Sequence, residues 1–192
     1  MRTGAIKFGM FTLTSGKLSP YYIDLRIIPS FPSALREVTR TYTAQAKKIG
    51  LAKCGTIAGI PTAGLVFASL VAYELGKPVI YVRKEAKEWG RGRRIEGIIK
   101  PGEKVLVIDD IITTGKSILE TAEVVRAEGG VVEDALVLVD REEGGTINLS
   151  AQGIKLHTFA KVKDIAKALY ELEEISKEQC EAILKQTQKE AP

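Results

Sequence analysis

The sequence is poor in the residues that usually carry nucleophilic, metal or redox chemistry. Its 192 residues include one histidine, His157, two cysteines, Cys54 and Cys180, and one tryptophan, Trp89. With no CxxC pair and no Cys/His cluster, a protein-held metal centre is not expected. Whether Cys54 and Cys180 pair with each other is left open. A lone histidine offers no partner imidazole, so His157 is expected to be structural. Long apolar runs are also missing: no stretch approaches the roughly 18–20 residues of a membrane span. The N-terminus lacks a signal-peptide layout, so no membrane association and a cytoplasmic location are expected. Nor is there an excess of one charge, since 28 Lys and Arg face 24 Asp and Glu for a net of +4. That balance does not suggest a basic coat for nucleic acid.

What charge there is sits in one place. Between Arg83 and Arg94 lie six cations (Arg83, Lys84, Lys87, Arg91, Arg93, Arg94) against two acids, Glu85 and Glu88, a net of +4 that equals the whole chain's. A cationic segment in a balanced protein points to an anionic ligand. The hydrophobic share of 45% and charged share of 27% are those of a globular protein, and the length suits one domain spanning residues 1–192.

Apolar, β-branched runs at residues 56–60, 78–83, 104–109 and 134–140 read as strands. Helical periodicity fills residues 33–49, 63–75 and 117–128, and two further helices follow in the tail, over 164–175 and after Ser176. Ser117 with Glu120, and Ser176 with Gln179, have the spacing of capping boxes. Unbroken apolar strands alternating with helices predict an α/β fold with a mainly parallel sheet flanked by helices. One connection does not fit a simple crossover. Residues 84–102 carry Gly90, Gly92 and Gly97 among charges, as a lid or binding loop would.

The densest chemistry lies in the run from Lys104 to Ser117, KVLVIDDIITTGKS. An apolar strand delivers two adjacent carboxylates, Asp109 and Asp110, and a Thr/Gly loop then leads into a helix. In open parallel sheets ligands bind beyond the carboxyl ends of the strands. Helix N–H groups there favour a phosphate, and Thr113, Thr114 and Ser117 add hydroxyls. Gly115-Lys116-Ser117 resembles the end of a P-loop, but the first glycine of that motif would fall on Asp110, whose charge is wrong for a triphosphate.

The Val107–Ser117 run resembles the motif by which type I phosphoribosyltransferases bind 5-phosphoribosyl-1-pyrophosphate (PRPP). Alone it leaves the base open, and a purine-base enzyme or a PRPP-sensing regulator of the same fold shares it. Two further segments narrow the choice. FTLTSGKLSPYYIDLR, Phe11 to Arg26, resembles the N-terminal segment of the orotate phosphoribosyltransferases. RKEAKEWG, Arg83 to Gly90, continuing to Gly97, resembles their mobile catalytic loop, and Asp140-Arg141 is a shorter match.

The resemblance implies a type I fold with a hood, built from about residues 1–30 and the C-terminal part, and a mobile loop at about 84–97. It implies that Asp109 and Asp110 hold the ribose hydroxyls. Ile111, Ile112, Thr113, Thr114, Gly115, Lys116 and Ser117 would surround the 5-phosphate, while Arg83, Lys84 and Lys87 would bind pyrophosphate. Thr113 and Arg141 would contact orotate, with Tyr21 and Tyr22 beside the base, and Thr62 and Ala63 would lie on the pyrophosphate loop. Mg²⁺ would be held mainly through PRPP rather than by protein ligands. Catalysis would rest on Lys87, Asp109 and Asp110 in a homodimer whose loop and pocket come from different subunits. Three positions depart from the pattern. Trp89 stands where many relatives have histidine, and Thr14 and Ala63 stand where some have a cation.

Overall fold

The computed structural model describes residues 3–12, 18–50, 55–83 and 94–190. Its centre is a six-stranded sheet of β3 (Thr56–Gly59), β4 (Val79–Val82), β5 (Ile95–Glu96), β6 (Lys104–Ile112), β7 (Val131–Asp140) and β8 (Lys155–Lys161), in the order β5-β4-β3-β6-β7-β8. All neighbours are parallel except β4 and β5. From β3 the chain steps outward to β4, then returns to place β6 on the other side of β3. This reversal opens a crevice beyond the ends of β3 and β6, the usual ligand position in such sheets.

Side chains alternate across β6, so Leu106 and Ile108 face one layer while Val105 and Val107 face the other. The first layer holds α1 (Pro32–Ile49) and α2 (Ala63–Leu75), with α5 (Val162–Glu171) and α6 (Lys177–Glu190) extending the same core. The second holds α3 (Lys116–Ala127) and α4 (Gly145–Ala151). A separate antiparallel pair, β1 (Ile6–Thr12) and β2 (Leu18–Ile23), runs into a 3-10 helix at Leu25–Ser30 and joins the first core through Tyr21 and Ile23. Ser19, fully buried, ties this pair to the tail by donating its hydroxyl to Gln186 at 3.2 Å.

The expected strands and helices form, with three corrections. β1, β2, β8 and α4 were not expected, and helix α5 runs over 162–171 rather than 164–175. Residues 95–96 are a strand rather than part of an irregular lid. Arg83 N donates to Arg94 O at 2.8 Å, so the expected loop is closed at its base by a ladder, and residues 84–93 lie outside the described residues. Only one of the two capping boxes forms. Ser176 N donates to Gln179 Oε1 at 2.8 Å and Gln179 N to Ser176 Oγ at 3.2 Å. At α3 the helix starts a residue early. Gly115 occupies the N-cap at φ 82°, no side chain caps the helix, and Glu120 lies 3.7 Å from Lys116 instead. The left-handed turn at Gly115 brings the helix in from a loop, which moves Ser117 inside the first turn and out of the capping position.

Tyr42 links the α1 layer to the strand that carries the acids. Its side chain is 1% exposed, stacks on Phe67 with centroids 5.6 Å apart, and donates its hydroxyl to Asp109 O at 2.7 Å. Burial, with Asp110 and Asp109 nearby, raises the hydroxyl well above its usual range and keeps it a donor. Tyr42→Phe should therefore destabilise the chain by about 0.5–1.5 kcal/mol, the net worth of one hydrogen bond, with an unchanged denaturant slope. Tyr42→Ala should cost roughly 3–5 kcal/mol, because it also opens a cavity beside Phe67. Urea unfolding of both variants checks the order; equal losses would mean that the hydroxyl contributes nothing beyond the ring.

Candidate active site

β6 carries Asp109 and Asp110 near its carboxyl end, half-buried at the mouth of the crevice. Asp109 Oδ1 accepts from the Asp110 amide at 2.9 Å, which fixes the first carboxylate against the backbone of the second. Burial pushes the Asp109 carboxyl well above the usual range, and the neighbouring Asp110 charge pushes it further. Burial also raises Asp110, although hydrogen bonds and the more distant Arg26 pull it partly back. The two acids therefore do not share full ionisation easily in the ligand-free chain.

The loop after them is packed by backbone contact on both sides. Gly64, at the start of α2, leaves no room for a side chain: a Cβ there would lie 2.7 Å from Asp109 Oδ1 and 2.8 Å from Asp109 Cα. Gly145, at the start of α4, does the same from the other side, where a Cβ would lie 2.5 Å from Thr113 O. Asn148 Nδ2 donates to Thr114 O at 2.9 Å, and Arg141 N donates to Ile112 O at 3.0 Å. Held this way, Thr114 and Ser117 are exposed and Thr113 is half-exposed around a small concavity lined by residues 111–118 and Asp109. With no side chain capping α3, its first amides and these hydroxyls face the same space.

Beyond β7, Arg141 is 6% exposed with its guanidinium 4.8 Å above the ring of Tyr21, and Nε lies 2.7 Å from Glu143 Oε1. Of the adjacent tyrosines, only Tyr21 joins this cluster. Tyr22, on the opposite face of β2, is 5.6 Å from Phe11 and accepts from Arg26 Nη2 at 2.8 Å, while Arg26 Nε donates to Asp24 Oδ1 at 2.7 Å. Arg83 stands two strands from the acid pair. It is 3.2 Å from Glu96 and shares a cavity of about 550 Å³ with Pro61, Arg94 and Ser117. Thr62 is exposed and Ala63 buried, in the turn from β3 into α2. Lys116 is exposed, and Ile111 and Ile112 form the packed underside of the loop. Lys84, Lys87, Trp89 and Thr14 lie outside the described residues.

His157 sits at the other end of the sheet, 2.7 Å from Asp134 across β7 and β8, as a structural residue would. Among the described residues no cluster of His, Cys, Asp or Glu could hold a metal ion, and no helix is long and apolar enough to cross a membrane. Tyr42, Gly64, Gly145, Asn148 and Glu143 support the site but carry no motif of their own.

A phosphate-cradling loop behind an acid pair at a sheet's switch point defines a class, the phosphoribosyltransferases of type I fold, and the Phosphoribosyl transferase domain family matches residues 34–148. An orotate phosphoribosyltransferase of Cenarchaeum symbiosum is 46% identical over 169 residues, covering 88% of this chain and 84% of that protein. The crystal structure of orotate phosphoribosyltransferase from Aeropyrum pernix superposes with a TM-score of 0.77 at 36% identity, covering 88% of this chain and 95% of that one. The structure of Leishmania donovani UMP synthase gives 0.87 at 34% identity over 98% of this chain, which spans 40% of that longer one. The chain belongs to the orotate phosphoribosyltransferase family.

The raised carboxyls give a signed pH prediction. A carboxyl whose folded pKa exceeds its unfolded value of 3.8 favours folding most below that value. The advantage is lost as pH rises through the folded pKa, because only the unfolded chain ionises freely. Asp109→Asn removes that penalty while keeping an oxygen for the Asp110 amide. Ligand-free Asp109→Asn should melt above the parent at pH 8, each kcal/mol recovered being roughly 2–4 °C, and the gap should close towards pH 3.5. Thermal scans across that range decide it; a parent that melts higher at pH 8 would contradict the buried-charge account.

Proposed function

We propose that the chain transfers the 5-phosphoribosyl group of PRPP to orotate, giving orotidine 5′-monophosphate and pyrophosphate. The observation that carries this reading is the loop of residues 109–117, where carboxylate acceptors and phosphate donors stand side by side. On this reading Asp109 and Asp110 accept from the ribose hydroxyls. The amides and hydroxyls from Thr113 to Ser117 hold the 5-phosphate. Arg141 and Thr113 meet the base, with Tyr21 beneath it.

The C1–O bond to pyrophosphate breaks and its electron pair leaves with the pyrophosphate. Positive charge grows on the sugar, as in glycoside cleavage. The ring nitrogen of orotate supplies the pair for the new C1–N bond, and its proton passes to solvent or to the departing pyrophosphate. Two carboxylates beside the sugar stabilise that charge, and the growing cation in turn offsets the burial that disfavours their own ionisation. Residues Arg83, Lys84 and Lys87 would receive the pyrophosphate. The donor set also fits Mg²⁺. Two adjacent carboxylates with no third protein ligand among the described residues suit an ion that keeps most of its shell in water and substrate oxygens. When bound, the ion offsets the charge of the leaving pyrophosphate.

Purified protein with Mg²⁺ and PRPP should consume orotate and release pyrophosphate. Turnover of adenine or hypoxanthine without orotate turnover would overturn the assignment of base.

The reading extends to a homodimer in which Lys87 reaches the partner's pocket. A variant with Asp109→Asn and Asp110→Asn, and another with Lys87→Ala, should each be strongly impaired. In a hybrid dimer one site inherits both defects, while the other has intact acids and an intact loop. Random exchange in an equal mixture makes half the dimers hybrid, so about a quarter of parental activity should return. With exchange confirmed by mass labelling, activity that stays at the level of the separate variants would place Lys87 in its own subunit's pocket.

A further inference from the structure

Among the described residues Arg141 is the most enclosed cation near the site, and its surroundings are more specific than binding an anion requires. Its amide is tied to Ile112 O at 3.0 Å, so the side chain leaves the backbone beside the phosphate loop. The guanidinium lies over Tyr21, itself 1% exposed, which fixes the plane of the fork. Glu143 fixes its rotation. Nε is 2.7 Å from Glu143 Oε1, and the two side chains are 7% and 8% exposed. Nε and Nη2 are both buried and neither makes a hydrogen bond among the described residues, so Glu143 holds the fork as an ion pair and Nη2 remains for a further acceptor.

The turn that carries Glu143 is built to hold this arrangement. Asp140 accepts from the Glu142 amide at 2.7 Å and from Thr146 Oγ1 at 3.2 Å. Glu142, at φ 60°, is turned away towards Lys163, 2.8 Å from it, and Lys161 at 3.9 Å. Two neighbouring glutamates thus face opposite ways, one to solvent-side lysines and one to the buried arginine. Gly145 presses the end of the turn against Thr113 O. A buried ion pair is weak evidence of stabilisation, since apolar replacements often serve as well. A pair that leaves a buried donor unmet is better explained by a ligand that meets it.

We propose that Glu143 is a positioning residue for base recognition: it turns the Arg141 fork so that the Nη edge receives the carboxylate of the base. Without it the guanidinium would be free to rotate towards the phosphate loop or the acid pair, where it would attract other anions. The guanidinium stays charged along its Nη edge, so a planar carboxylate that meets it in plane gains a directed charge-assisted hydrogen bond that a neutral base does not. The inference rests on the orotate reading above and adds to it the residue that sets the geometry.

The test compares Arg141→Ala, Glu143→Ala, Glu143→Gln and the double alanine variant, each with KM and kcat for orotate and for PRPP. Glu143→Ala should raise the KM for orotate about ten-fold, the scale of one lost hydrogen bond to a charged group. The KM for PRPP should stay unchanged. Glu143→Gln keeps an oxygen at the same reach and should restore most of the loss. In the Arg141→Ala background, removing Glu143 should add nothing, because Glu143 acts through Arg141. Additive losses, an equal rise in the KM for PRPP, or no change in Glu143→Ala would overturn the proposal. Should Glu143→Ala fail to fold, Glu143→Gln carries the test: a KM for orotate as high as in Arg141→Ala would overturn it. An unchanged KM for orotate in Arg141→Ala would instead remove Arg141 from base recognition, a different failure from that of Glu143 alone.

Discussion

Two carboxylates stand side by side, half-buried, near the carboxyl end of the central strand β6, and among the described residues no cation is in contact with them. Burial raises both pKa values, and Arg26, itself held by Asp24, offsets this only for Asp110 and only in part. Burial puts the joint ionisation of these two carboxylates under electrostatic strain, which a sugar hydroxyl or a growing positive charge beside them would relieve. A site arranged like this stabilises a cationic transition state more than a neutral ground state, which is the condition for acceleration rather than tight binding.

Such strain is useful only if the carboxylates cannot move away from it. Gly64 lets α2 approach Asp109 within backbone contact, Tyr42 holds the Asp109 carbonyl from below, and Gly145 with Asn148 braces the loop from α4. Three helices on two faces of the sheet thus converge on nine residues. The support comes from backbone carbonyls and missing side chains. This explains why substitutions at Gly64 or Gly145, which carry no chemistry themselves, would disturb the loop as surely as changes to the acids.

Much of this was legible in the sequence, for identifiable reasons. β3, residues 105–108 of β6 and residues 135–137 of β7 are buried on both faces, so these apolar runs stand out in the sequence, although Glu133 and Asp134 hide that β7 starts at Val131. β8 is an edge strand with the mixed sequence KLHTFAK and mostly half-buried side chains, and β1 and β2 pair only with each other, so neither shows the same run. The two capping boxes make the sharper lesson. Ser176 and Gln179 close a box at a solvent-facing helix start, whereas Ser117 and Glu120, with the same spacing, do not, because the loop's turn at Gly115 leaves the first amides of α3 uncapped. Local propensity gave way where those amides had another use. Arg141 was legible as a motif, but Glu143 was not, since the inward turn of one glutamate and the outward turn of its neighbour depend on lysines some twenty residues away.

The cations around the site divide by exposure, and the division matches what each would have to distinguish. Arg83 is 40% exposed at the mouth of a wide cavity, paired loosely with Glu96. A solvated cation attracts any multiply charged anion, is screened by salt, and discriminates little by shape. Pyrophosphate needs no more than that, because its charge alone sets it apart. Arg141, at 7% side-chain exposure between Tyr21 and Glu143, is the reverse case. An anion entering there must shed its water and regains that cost only if its oxygens meet the fork in plane. On the proposed reading the chain holds the leaving group by charge and the base by geometry. Recognition by geometry has to be built into the end of β7, where Tyr21 and Glu143 hold the Arg141 side chain.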